Sequence, residues 1–191
     1  MMDSFFSSDT INNLNIDIAH FGSALVSSRI INNQILNDWN WIKVSLLTLL
    51  GFSIYNLIIA NLINTSTIDN ENIKMAIDDI LKFGTMLLSL RLFLGESLND
   101  MDWILGSCYI LIGLIVYDFG TINLLDTNYL NNKKIISNKT KMALDDIIKF
   151  STMLIISRWL SNDNFSKLWI LESIGFIVGL VAYDYLISDY V

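Results

Sequence analysis

Residues 74–94 read KMAIDDILKFGTMLLSLRLFL, and residues 141–161 read KMALDDIIKFSTMLIISRWLS. Of these 21 positions 12 are identical, and the apolar segments that follow, 103–118 and 169–184, share 8 of 16. Self-similarity at a fixed period sets the architecture within which every single residue must be read. A third, more diverged copy lies nearer the N-terminus. Phe21, Gly22, Ser23 and Arg29 align with Phe83, Gly84, Thr85 and Arg91, and with Phe150, Ser151, Thr152 and Arg158. The chain thus divides into three tandem units, about 10–66, 70–128 and 137–191, within a single domain over 1–191.

Each unit begins with a helix (A) carrying scattered charges and continues through a polar turn containing Asn37-Asp38, Asn99-Asp100 or Asn162-Asp163. A strongly apolar helix (B) follows. Asn-Asp suits a tight turn and can supply the N-cap of the second helix, because its short side chains bond to nearby backbone N–H groups. Each unit is then a helical hairpin, and the fold class expected is all-α.

Composition points the hairpins toward a membrane. Of 191 residues, 53% are hydrophobic, 16% are charged and none is proline, with a mean hydropathy of +0.49. An ordinary soluble domain carries about 25% charged residues. The uncharged run 44–68 exceeds the ~20 residues that a helix needs to cross ~30 Å of hydrocarbon. The expectation is a multi-pass bundle of six helices, its three hairpins all inserted the same way and arranged about a pseudo-threefold axis along the membrane normal. The connectors, above all NNKKIISNKTK over 131–141, hold more lysine than the turns, which by the positive-inside rule places them and the termini on the cytoplasmic side. The opening MMDSFFSSDT has no basic residue before its short apolar pair, so it lacks the layout of a cleavable secretory signal.

Several function classes lose support. A net charge of −7 opposes nucleic-acid binding, which relies on clustered Lys and Arg. His20 and Cys108 are the only histidine and cysteine, so no zinc-type spacing, no histidine triad repeated in each unit and no Gly-rich phosphate loop is legible. No enzyme activity, cofactor or metal is expected from spacing alone. Cys108, inside an apolar run, reads as a small buried hydrophobe.

On helix B, at 100° per residue, the shared positions fall within about 140° of arc. They are Trp41, Ser45, Gly51 and Tyr55, then Trp103, Ser107, Gly113 and Tyr117, then Trp169, Ser173, Gly179 and Tyr183. That face is expected to pack on other helices, with the glycines allowing close backbone approach. On helix A, Asp78 with Lys82 and Asp145 with Lys149 stand at i, i+4 in the favourable acid-first order. Folding each hairpin about its turn also returns Asp118 to the depth of Lys82, and Asp184 to that of Lys149. Cross-hairpin ion pairs are therefore expected there. The first unit has His20 and Asn56 in these two places, as if both partners had become neutral together, since an unpaired intramembrane charge costs about 2.5–3.5 kcal/mol. Arg29, Arg91 and Arg158, several residues below the turn, are expected to be the deepest charges in the membrane, facing the Trp and Ser of helix B, where a cation–π contact and a hydroxyl are on offer.

The function expected is a structural, assembly or scaffolding role as a small integral membrane protein. The alternative is an ion or small-solute channel or transporter using the intramembrane Asp, Lys and Arg. Partners are the lipid bilayer and other membrane or capsid proteins. Composition and size fit a virion's internal membrane or an organelle membrane.

Overall fold

The computed structural model describes residues 7–63, 65–123 and 127–191. The acidic opening over 1–6 lies outside them. All the described regular structure is helical. The elements are α1 (Ser8–Ile31), α2 (Trp39–Leu62), α3 (Glu71–Phe93), α4 (Met101–Phe119), a short α5 (Thr127–Asn132), α6 (Asn138–Leu160) and α7 (Lys167–Leu186). Within α2, the stretch Tyr55–Ile59 widens into a π turn. Three helices, α2, α4 and α7, are long and apolar enough to cross a membrane, with mean hydropathies of 1.8, 1.5 and 1.4. The A helices α1, α3 and α6, with charged residues in α3 and α6 and Asn, Ser, His and Asp in α1, do not meet that measure.

Caps explain where the helices begin. Ser7, Asn70 and Ser137 accept from backbone N–H groups at the starts of α1, α3 and α6, and Asp38, Asp100 and Ser166 do so for α2, α4 and α7. Each cap satisfies a donor that the first helical turn leaves unpaired. The A helices all end alike. Asn33, Gly95 and Asn162 adopt φ of 51°, 71° and 55°, and the next residue's N–H donates back to the carbonyl of Arg29, Arg91 or Arg158. This is a Schellman ending, which needs a residue tolerant of the left-handed region. The third turn is one residue shorter between its Arg and Trp. Asn162 takes the left-handed position of Asn33 and Gly95, so Asp163 lies three residues short of the cap, contrary to the expectation for this turn, and Ser166 fills it.

Within each hairpin the two helices touch, but long-range packing joins neighbouring hairpins: α2 runs along α3, α4 along α6, and α7 along α1. Glycines set the closeness of these crossings. A Cβ at Gly51 would stand 2.7 Å from Met86 Cα, one at Gly113 2.7 Å from Met153 Cα, and one at Gly179 2.5 Å from Ala24 Cα. The partners Ala24, Met86 and Met153 are themselves aligned positions. Gly175 meets Ser28 Cα at the same 2.7 Å.

Where the A helices converge, Phe21, Phe83 and Phe150 meet edge to face, with centroids 5.7 to 6.1 Å apart. Phe52 stacks on Phe21 at 4.2 Å. On the turn side of these rings an apolar cavity of about 190 Å³ opens, bordered by Leu25, Met86, Ile110 and Phe176. Outside, the surface is apolar on both kinds of helix: Val26, Leu88 and Ile155 on the A helices, and Leu46, Leu105 and Ile174 on the B helices, are all exposed. Cys108 belongs to that exposed surface, contrary to the buried position expected from its apolar neighbours.

Candidate functional site: a chain of buried ion pairs

One turn toward the connectors from the phenylalanines, the A helices present their acids and bases to one another. Lys82 on α3 donates to Asp17 Oδ1 on α1 at 2.5 Å. Lys149 on α6 donates to Asp79 on α3, its Nζ 2.7 Å from Oδ1 and 2.5 Å from Oδ2. His20 on α1 places Nε2 2.5 Å from Asp146 Oδ2 on α6. The three pairs thus link α1 to α3, α3 to α6, and α6 back to α1. Each joins side chains 65, 70 or 126 residues apart in sequence.

Each B helix sends one side chain to a pair. Asn56, buried at the π turn of α2, donates from Nδ2 to Asp17 Oδ2 at 2.7 Å and to the Phe52 carbonyl at 3.0 Å. Asp118 on α4 is fully buried, and neither of its carboxyl oxygens has a hydrogen-bond partner. Asp184 on α7 is 1% exposed, with Oδ2 likewise unpartnered. Aromatic rings complete the walls. Lys149 Nζ lies 5.8 Å from the Tyr117 ring centroid and Lys82 Nζ 5.8 Å from that of Phe21, while the His20 and Tyr183 centroids are 4.8 Å apart.

This geometry corrects the cross-hairpin pairing. Lys82 does not pair with Asp118, nor Lys149 with Asp184: both lysines reach acids on a different A helix, because the A helices meet on the inner side of the packing. The i, i+4 pairs are displaced as well. Lys82 and Lys149 point inward, away from Asp78 and Asp145, and Asp145 instead accepts from Lys141 at 2.8 Å and from the Thr127 hydroxyl at 2.6 Å. His20 and Asn56 are not partners that lost charge together, since His20 meets Asp146 and Asn56 meets Asp17. The acids that the lysines and His20 meet are Asp17, Asp79 and Asp146, of which Asp17 is not singled out by the sequence reading. Their signal was present in the repeat, since Asp17, Asp79 and Asp146 align.

The arginines stand at the opposite end of the helices. Arg29, Arg91 and Arg158 lie over the Trp41, Trp103 and Trp169 rings at 5.3, 5.4 and 5.5 Å. Their N–H groups close the hairpin turns: Arg29 donates to the Ile35 carbonyl and Asp38, Arg91 to the Ser97 carbonyl, Glu96 and Asp100, and Arg158 to the Asn164 carbonyl and Asp163. Ser45, Ser107 and Ser173 take no hydrogen bond from them among the described contacts. The hydrogen bond from Arg29 holds the Asp38 carboxyl below its usual range, and that from Arg91 does the same to Asp100, each helped by backbone N–H donors of the following helix. On the B-helix face, Ser45, Gly51, Tyr55, Gly113, Tyr117, Gly179 and Tyr183 are buried, while Trp41, Trp103, Trp169, Ser107 and Ser173 are half-buried.

Chemically, the chain of pairs is a set of fixed acid–base contacts between helices, and the arginines are turn clamps. Compared with models of protein families, with curated proteins and with solved structures, the chain matches none.

Proposed function

We propose that this chain is a small multi-pass integral membrane protein, a pseudo-threefold bundle of three helical hairpins, with a structural, assembly or scaffolding role. One observation carries the membrane reading: polarity is inverted relative to a soluble protein. Asp17, Asp79, Asp118 and Asp184 are buried while Leu46, Leu88, Leu105, Ile155, Ile174 and Val178 face outward. Water would favour the reverse, because charges are almost never fully buried unless paired and an extended apolar exterior invites association. Hydrocarbon favours this arrangement: paired charges inside, aliphatic side chains against lipid. The A helices, too polar to qualify by composition, would cross because their charges turn inward and meet one another.

A structural role is supported by how the charges are engaged. Lys82 and Lys149 are in ion pairs, His20 bonds to Asp146, the arginines are clamped to turns, and Phe21, Phe83 and Phe150 fill the space between the A helices. The cavity beside these rings is lined by apolar side chains apart from Thr48, whose hydroxyl is spent on the Val44 carbonyl, so it offers little to replace an ion's hydration shell. Termini and connectors on the cytoplasmic face, and lipid together with neighbouring membrane or capsid proteins as partners, complete the reading.

Two measurements test it. After alkaline carbonate treatment of membranes from expressing cells, the chain is expected in the pellet; release into the supernatant refutes the multi-pass reading. Liposomes reconstituted with the pure protein are expected to hold Na⁺, K⁺ and Cl⁻ gradients as protein-free liposomes do. Selective flux that Arg91→Leu or Lys149→Leu abolishes would instead establish transport.

A further inference from the structure

The three acid–base contacts look alike but do not balance alike. At the first, Asp17 faces the Lys82 ammonium and the neutral amide of Asn56, so formal charges cancel. At the second, Lys149 bonds to Asp79, and Asp118 is buried nearby with neither oxygen hydrogen-bonded. At the third, Asp146 and Asp184 face the His20 imidazole, and no lysine or arginine among the described contacts bonds to either of them. Two carboxylates against one imidazole, one of them buried with a bare oxygen, form a site without the ammonium group that the other two contacts hold.

The atoms there also meet the geometry for supplying one. One nitrogen of His20 and one carboxyl oxygen each of Asp146 and Asp184 all lie within 4.8 Å of one another. They come from three helices, α1, α6 and α7, so no spacing in the sequence could reveal them. Asp184 is 1% exposed and its Oδ2 has no hydrogen-bond partner, whereas the His20 and Asp146 side chains keep 14% and 16% exposure. The remaining charged neighbour, Asp145, is engaged by Lys141.

We propose that His20, Asp146 and Asp184 bind one divalent transition-metal ion, which closes the third contact as the Lys82 and Lys149 ammonium groups close the first two. An imidazole with two carboxylates suits Zn²⁺ or Mn²⁺, while Mg²⁺ and Ca²⁺ prefer all-oxygen sets. Metal–ligand bonds of about 2.0–2.2 Å separate neighbouring ligand atoms by roughly 3.0–3.4 Å. The His20–Asp146 contact therefore opens by under about 1 Å as the ion replaces the shared proton, and the imidazole binds through deprotonated Nε2. Three protein ligands leave room for water at the remaining positions. The site does not rest on the membrane reading, since the same three helices hold it in any solvent.

The test uses the full chain, purified in detergent with any affinity tag removed and stripped with EDTA. Calorimetric titration with Zn²⁺ and, separately, Mn²⁺ is expected to give one ion per chain for at least one of them, verified by elemental analysis after dialysis. Asp184→Asn should weaken uptake by at least the roughly tenfold that even an outer-shell change costs, while Asp118→Asn, the same change at the second contact, leaves it intact. His20→Lys is the decisive variant: it installs the residue type of the other two contacts, so it is expected to fold with a Tm no lower than that of the metal-free protein and to bind no ion. A wild-type chain that takes up neither metal overturns the proposal and leaves a proton-bridged cluster. Equal uptake by wild type and a folded His20→Lys variant overturns it as well.

Discussion

Lys82 and Arg91 stand nine residues apart on the same helix, yet they find their partners over very different lengths of chain. Arg91 is satisfied inside its own hairpin, by Glu96, the Ser97 carbonyl, Asp100 and the face of Trp103. Lys82 is satisfied only by Asp17, 65 residues earlier. The first arrangement secures a turn and the second a tertiary fold. Their exposure differs accordingly: Asp17 is 7% exposed, whereas Asp100 keeps 43%. The same opposite charges should therefore carry very different energies at the two ends of one helix.

Cutting the buried chain of pairs is the strongest way to expose that difference. Asp79→Ala removes the carboxylate to which Lys149 is bonded, Asp118 making no hydrogen bond to it, and removing one member of a buried pair typically costs about 3–5 kcal/mol. Unfolding of the detergent-solubilised protein by heat or denaturant should reveal a loss of that size. The reversal Asp17→Lys with Lys82→Asp should recover much of what either single change loses, as coupled neighbours do in double-mutant cycles. The reversal Lys82→Asp with Asp118→Lys should recover none. If the second reversal rescues and the first does not, the pairing runs within hairpins after all.

Backbone packing offers a sharper, smaller version of the same contrast. Gly113 belongs to the crossing between neighbouring hairpins, and a Cβ there would stand 2.7 Å from both the Cα and the carbonyl oxygen of Met153. Gly106, on the same helix, has nothing within 4 Å of its added Cβ. Gly113→Ala forces two backbones apart, for which overpacking costs of about 1–3 kcal/mol are typical. Gly106→Ala should instead stabilise by about 0.5–1 kcal/mol, since alanine loses less entropy in a helix. Equal responses at the two sites would mean that the helices are not in close contact at Gly113.

The division between near and far also governs how much the sequence disclosed. The hairpins, the Gly-bearing face of helix B and the placement of the arginines beside their tryptophans all follow from local chain geometry: the 100° helical step, the Asn-Asp turns and a fixed count of residues from turn to side chain. The destinations of Lys82 and Lys149 do not. A repeat states that three units are alike, but not which face of one meets which face of the next, and both an intra-hairpin and an inter-hairpin pairing placed the lysines at a plausible depth. The joint change to His20 and Asn56 then misled, because those residues occupy different contacts. The cluster of His20, Asp146 and Asp184 was illegible for the same reason, its members being distant in sequence until the helices assemble. Cys108 shows the converse error. An apolar neighbourhood in sequence does not imply burial when the outer surface is itself apolar.

The mildest test probes the turn clamp itself. Asp100 accepts from Arg91 at 2.7 Å and, through its other oxygen, from the backbone N–H groups of Asp102 and Trp103. With the Arg91 hydrogen bond the largest cause, its carboxyl is held below the ordinary 3.8. A carboxylate with a depressed folded pKa stabilises the fold at every pH above its unfolded value, and that contribution disappears as pH falls from 3.8 through the lower folded value. Arg91→Gln should raise the Asp100 pKa toward 3.8 without reaching it, because the helix-capping N–H groups still favour the ionised form. Carbon-detected NMR titration of the Asp100 carboxyl reads this directly. The unfolding midpoint at neutral pH should hardly move, as is usual for an exposed pair. A large neutral-pH loss in Arg91→Gln, comparable with that of Asp79→Ala, would mean that the arginine works as deep in the fold as the lysine does and that the two ends of the helix are energetically alike.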